Sequence, residues 1–283
     1  TSTQSAGTNI AAITGTETSL LTCQNSTLID NSTYLNPMTT SGTPIPIAVC
    51  PFTQTTTTVA LTTLGGTYFD GTGDYLSIPD NAALNIGTSD FTIECWMYPT
   101  VFNSSNTIIG KGTNNLIFGF NSSGTLEISQ YGVAVRVSAS TNLVLNQWSY
   151  VVASRVSSTS RIFLNGVQVG SGSDSSNYTS ATVLQIGQDP LNSAQKITGY
   201  LSNIRVIKGT GLYTSNFAPP VQSLTAVTNT SLLTLQYNGG ANNSGIIDNS
   251  SLNNVITRYG NTSQGTFSPY GGNWSNYFNG SVN

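Results

Sequence analysis

The chain of 283 residues contains no histidine, so any chemistry must come from its eleven acidic residues, three cysteines and many hydroxyls. Serine and cysteine nucleophiles activated by histidine, and histidine-based zinc sites, are thereby excluded. Asp90 and Glu94 share one face of an alternating run. Four residues of extended strand separate them by about 13 Å. A glycosidase needs its two carboxyls about 5–9.5 Å apart, so this pair does not hydrolyse glycosides and no catalytic residue is expected. Glu94 is then a lone charge in an aromatic strand, expected on a concave or solvated face beside an arginine such as Arg155 or Arg205. Asp70-Gly71-Thr72-Gly73-Asp74 places two carboxylates in a glycine-rich turn, and Asp189 follows another strand. These three are the candidate ligands for calcium, which takes six to eight oxygens. Asp and Gly also form turns for backbone reasons alone. No resident cofactor is expected, with calcium the one alternative.

Those residues must be carried by strands. Phe91-Thr92-Ile93-Glu94-Cys95-Trp96-Met97-Tyr98 puts Phe91, Ile93, Cys95 and Met97 on one face and Thr92, Glu94, Trp96 and Tyr98 on the other. Cys95 therefore reads as a small buried hydrophobe. Trp148–Ala153 is apolar on both faces, and Asn165-Gly166 between two alternating runs marks a hairpin with a type I′ turn. Two further strands are expected over 182–186 and 201–207, and no segment has a sustained helical period. Many short strands separated by Gly, Asn and Ser turns imply an all-β, antiparallel two-sheet sandwich.

Composition narrows the partners. Only 7% of residues are charged and the formal net charge is −3, against roughly 25% charged residues in ordinary domains. Nucleic acid is excluded as a partner, because its binding needs clustered cations. Membrane insertion is not expected, since no apolar run reaches the roughly 18 residues of a spanning helix. A surface so poor in charge suits an extracellular, cell-surface or virion setting, kept soluble by glycan or buried in an assembly.

An internal repeat organises the chain. Thr18-Ser19-Leu20-Leu21-Thr22-Cys23-Gln24 returns as Thr230-Ser231-Leu232-Leu233-Thr234-Leu235-Gln236. Leu28-Ile29-Asp30-Asn31-Ser32 returns as Ile246-Ile247-Asp248-Asn249-Ser250, and Tyr68-Phe69-Asp70-Gly71 as Tyr277-Phe278-Asn279-Gly280. The order of blocks is kept while their spacing drifts. We therefore expect a linker or preceding module over 1–18, one full module over 19–220, and over 221–283 a junction with the opening of a second module, completed by another subunit or by further sequence. Asn279 in place of Asp70 keeps the turn and loses the charge, which favours turn formation over calcium. Cys23 becomes Leu235 and Cys50 has no counterpart, the joint absence that a Cys23–Cys50 disulfide would leave. Asn31, Asn121 and Asn249 stand in Asn-x-Ser/Thr triplets and are candidate glycan acceptors.

With these blocks placed, the chain resembles the laminin-G-like, concanavalin A-like jelly rolls that occur in tandem in phage structural and bacterial surface proteins. The resemblance is carried by YFDGTGDYLSIP (68–79), DFTIECWMYPT (90–100), NQWSYVVASR (146–155), RIFLNGVQVG (161–170) and GYLSNIRVIKGTGLYTSNFAPP (199–220). It implies a jelly roll whose relatives variously bind sugars, bind calcium or act as spacers. The expected function is a non-enzymatic subunit of an extracellular or virion-surface fibre that self-associates head to tail into a linear polymer. The alternative is a carbohydrate-binding adhesin using Trp96, Tyr98, Tyr213 or Trp274 as sugar platforms.

Overall fold

The computed structural model describes residues 65–236, 246–265 and 267–270, all within one compact unit, Leu61–Asn283. Cys23, Cys50, Asn31 and Trp274 lie outside the described residues. Seventeen strands, β1–β17 in chain order, are described, and every pairing between them is antiparallel. The first sheet runs β10 (Val167–Ser173), β9 (Thr159–Leu164), β8 (Ser149–Val156), β3 (Phe91–Val101), β14 (Thr198–Lys208), β1 (Gly66–Phe69), β17 (Ser263–Gly265). A further strand, β15 (Thr230–Thr234), also pairs with β14. The second sheet runs β16 (Thr257–Tyr259), β2 (Tyr75–Ile78), β11 (Leu184–Ile186), β4 (Ser105–Gly110), β5 (Leu116–Asn121), β6 (Thr125–Gln130), β7 (Ala134–Asn142). A small hairpin, β12 (Gln188–Asp189) with β13 (Asn192–Lys196), sits after β11, and one 3₁₀ turn spans Ala82–Leu84.

Period-2 alternation builds the core between the sheets. Phe91, Ile93, Cys95 and Met97 from β3 meet Leu201, Ile204 and Val206 from β14 and, from the opposite sheet, Leu76, Ile78, Phe118, Leu126 and Ile128. Cys95 is a free thiol there, and burial pushes its pKa up, so it behaves as the apolar filler expected. Asn165 and Gly166 take φ of 50° and 79° between β9 and β10, the signature of the expected I′ turn. The first sheet is apolar on both faces. On its outer face Tyr150, Val152 and Phe163 form a second cluster.

The stretch expected to open a second module is, over 230–236 and 246–265, built into this same sandwich. Its β15 pairs with β14, β16 with β2, and β17 with β1. The physical reason is an available edge: β1 covers β14 only over Gly199–Leu201, leaving Ile204–Ile207 to accept another strand.

Candidate functional site

The two outer faces differ. On the first sheet, Glu94 projects outward from β3 and is fully buried, which overturns the expected solvated face. Arg205, three residues after Ser202 on β14, reaches it through Nε at 2.7 Å and a terminal nitrogen at 2.6 Å. Arg205 holds Oε1, and the other oxygen, Oε2, accepts from both Tyr213 Oη, at 2.8 Å, and Tyr150 Oη. Burial, followed by the Glu94 charge, drives both phenol pKa values upward, so both stay protonated donors. Arg155, the other arginine considered, packs elsewhere. Its guanidinium lies over the rings of Phe91 and Tyr178 and donates to the carbonyls of Gly87, Ser89 and Ser176.

What buries Glu94 is the segment 209–226, laid across the sheet. Tyr213 and Phe217 stack at 3.9 Å and pack on Phe163. The segment is tied down by Phe217 N to Gly166 O at 2.9 Å, Leu224 N to Asn203 Oδ1 at 2.8 Å, and Arg205 to Thr225 O at 2.6 Å. Gly166 is obligatory here, because a Cβ at its positive φ would collide with the Phe217 carbonyl. At the other end of the face, Tyr98, Trp148 and Tyr200 pack around Phe267, and Trp96 Nε1 donates to Tyr270 Oη at 3.2 Å. Burial pushes the Tyr270 phenol up to about 12. The aromatic side chains expected as sugar platforms, Trp96, Tyr98 and Tyr213, are thus committed to packing.

The candidate calcium ligands are likewise committed to backbone groups. Asp74 accepts from Asp70 N at 2.9 Å and Asn261 N at 2.7 Å, fastening the β16–β17 corner to the β1–β2 turn. Asp70 accepts from Thr72 N at 2.5 Å. Asp189 accepts from Leu191 N and Asn192 N at 2.7 and 3.0 Å in the β12–β13 turn, and burial raises its pKa. Among the described residues no group of three or more His, Cys, Asp or Glu side chains could hold a metal ion. The structure brings Asp70 and Asp74 together and leaves Asp189 in a different turn. Of the candidate glycan acceptors, Asn121 donates to Glu127 Oε1 at 3.0 Å and Asn249 to Gln236 Oε1 at 2.6 Å, so each amide nitrogen already has a protein partner.

The second sheet presents an open groove of about 410 Å³ over β4–β7. With Phe118, Leu126 and Ile128 in the core, alternation turns Ile117, Gly119, Glu127 and Ser129 toward it. Gly119 forms the low point of the floor, since a Cβ there would strike the carbonyl of Asn106. Asn106 spends its amide on Asn103 O and Phe120 O, and Gln130 donates to Asn114 O, so these two shape the wall. Glu127, whose Oε1 takes the Asn121 amide, is the one carboxylate in the lining; Ser105, Ser129, Gln195 and Tyr131 supply further polar groups. Val133 and Val135 add an exposed apolar rim. Sequence reasoning missed this groove. Its only trace was polar alternation across Thr125-Leu126-Glu127-Ile128-Ser129, which any solvated sheet face shows.

Residues 70–210 match a laminin-G-type family model, described as the concanavalin A-like lectin/glucanases superfamily. No curated protein matches the chain. Among solved structures, a candidate carbohydrate binding protein from Bacteroides ovatus is similar at 16% identity with a TM-score of 0.57, covering 75% of this chain and 61% of that one. The chain thus spans about three fifths of that protein, and at such identity the likeness is one of fold. A pentraxin from Limulus polyphemus (17% identity, 51% of this chain and 76% of that chain, TM-score 0.39) and domains LG4-5 of the mouse laminin alpha1 chain (14%, 55% and 47%, TM-score 0.41) resemble it over shorter stretches.

Proposed function

We propose that this chain, whose residues 70–210 belong to the concanavalin A-like lectin/glucanases superfamily, is a non-catalytic extracellular module that binds carbohydrate in the β4–β7 groove. The observation that carries this is the asymmetry of the outer faces: one is sealed by packed aromatic side chains, while the other holds an open groove lined by hydroxyl, amide and carboxylate groups beside an apolar rim. Its volume falls in the range of about 300–1,000 Å³ usual for small-molecule sites. Sugars offer both hydroxyls and apolar C–H faces, which such a lining complements. The single lining carboxylate, Glu127, lacks the second one that glycoside hydrolysis requires. The Bacteroides ovatus relative is in keeping with the reading.

Titration calorimetry of neutral oligosaccharides into the wild-type protein and Ser129→Trp tests it. Binding that falls at least tenfold when the indole fills the groove is the expected result; binding unaffected by Ser129→Trp overturns the site.

A second reading concerns assembly. The recurrence of 18–32 in 230–250 favours a chain that associates head to tail into a linear, virion- or cell-surface fibre by strand complementation. Sedimentation velocity across concentration tests it, and a monomer at every concentration removes it.

A further inference from the structure

The structure shows what residues 230–236 and 246–254 do to hold their place. Strand β15 pairs along β14 in the register Ile204 with Thr234, Arg205 with Leu233, Val206 with Leu232 and Ile207 with Thr230. Leu232 and Leu235 enter the core, as does Ile246. The buried carboxylate of Asp248 organises the rest: it accepts from Leu233 N at 2.9 Å, Ser250 N and Oγ at 2.8 Å each, Asn254 N at 2.8 Å and Asn254 Nδ2 at 2.6 Å. Asn254 Nδ2 also reaches Ser231 O at 2.9 Å, and Gln236 bridges the Leu224 carbonyl and the Asn249 amide. These contacts define a slot on β14 and a plug that fits it.

Every hydrogen-bonding side chain of that plug recurs near the start of the chain. Ser231, Gln236, Asp248, Asn249, Ser250 and Asn254 correspond to Ser19, Gln24, Asp30, Asn31, Ser32 and Asn36, with the same spacing inside each block. Leu232, Leu233 and Thr234 are repeated unchanged as Leu20, Leu21 and Thr22, and Ile246 becomes Leu28. Asn36 was not part of the repeat as read from sequence; the bonds of Asn254 reveal it. The connection between blocks is six residues shorter in the first copy. This is tolerable, because Gln236 and Asn249 touch and so the ends of that connection already lie side by side.

The described residues form one such slot, and the sequence carries the residues of its plug twice. We propose that the slot on β14 is a strand-exchange site, which takes residues 18–36 of a second copy of this chain in place of its own 230–254. The proposal rests on the assembly reading above and specifies its contact. Edge pairing makes the same backbone bonds whichever chain supplies the strand. Because the two blocks carry the same hydrogen-bonding side chains, exchange between them would be set by concentration rather than by contact chemistry. A contact in which the 18–36 block of one copy pairs with β14 of another joins two unlike surfaces, and such a heterologous contact propagates.

Sedimentation velocity of the full chain between about 1 and 100 μM, with Asp30→Asn, Asp248→Asn and the double variant, tests it. Asp248→Asn weakens the resident plug and should lower the apparent dissociation constant of the oligomer at least tenfold, about the effect of one charged hydrogen bond. Asp30→Asn should reverse that gain, and excess synthetic peptide of residues 18–36 should convert oligomer to peptide-bound monomer. Should Asp248→Asn melt the fold, restoration of its thermal transition by the same peptide supports the proposal; failure to restore it counts against. Oligomers indifferent to both substitutions and to the peptide overturn the exchange site while leaving assembly standing. Monomers throughout overturn both.

Discussion

The two outer faces of this sandwich start from the same period-2 alternation and end differently. On the first sheet the outward row carries Trp96, Tyr98, Tyr150 and Phe163, and the chain returns over it with 209–226 and 267–270. On the second, the outward row over β5 and β6 carries Ile117, Gly119, Glu127 and Ser129, and no described segment covers it. A charge follows the same division. Glu94, under the cover, needs Arg205, Tyr150 and Tyr213; Glu127, in the open groove, accepts from Asn121. The lesson is that the most family-specific block, GYLSNIRVIKGTGLYTSNFAPP, encodes a cover and its fastenings on the sheet opposite the groove.

The contrast breaks most sharply at Arg205. Arg205→Ala strands a buried carboxylate and should cost about 3–5 kcal/mol, visible as a lower denaturant midpoint, without altering oligosaccharide affinity measured under native conditions. Next comes Gly166→Ala, which strains a positive φ and drives a Cβ into the Phe217 carbonyl; roughly 1–3 kcal/mol should be lost, with Trp96 fluorescence reporting the loosened cover.

Two carboxylates sharpen the picture by pH, with opposite signs. Burial raises the Asp74 carboxyl above its ordinary 3.8, despite the N–H groups of Asp70 and Asn261. Its stabilising contribution is therefore full below about pH 3.8 and lost as pH rises through the raised value. For Asp174, burial acts upward too, but donors from Ser160, Ser176 and Tyr178 outweigh it and the value falls below 3.8. Its contribution is present above that pH and lost as pH falls through the lowered value. Denaturant midpoints from pH 2.5 to 7 should show Asp74→Asn gaining on wild type as pH rises, and Asp174→Asn closing its deficit as pH falls. The smallest effect on stability belongs to Glu127→Gln, within about 0.5 kcal/mol, while calorimetry should register weakened sugar binding.

Much of the architecture could be read from sequence because it depends on neighbours along the chain. Alternation assigned Cys95 to the core and Glu94 to the outer row, and Asn165-Gly166 announced its hairpin. The groove could not be read, since polar alternation on β6 looks alike whether a face is covered or open. Nor could the aromatic side chains be sorted: Trp96 and Tyr98 offer the same sequence signal as sugar platforms and as packing, and only Phe267 and Tyr270 arriving from far along the chain decide between them. Asp74 illustrates the same limit. Its turn was evident, while its fastening of Asn261, 187 residues away, was not.

The sequence by itself determined the fold class, the faces of the strands, the absence of histidine chemistry and the recurrence of one strand-and-turn block. Each follows from side-chain period or from residue inventory, which are local properties. Tertiary structure alone decided that Arg205 rather than Arg155 neutralises Glu94, which outer face the described residues cover, and that the start of the second copy of the block sits on β14. Those outcomes depend on pairing between distant edges, where several partners satisfy the same backbone bonds and only three-dimensional packing selects one.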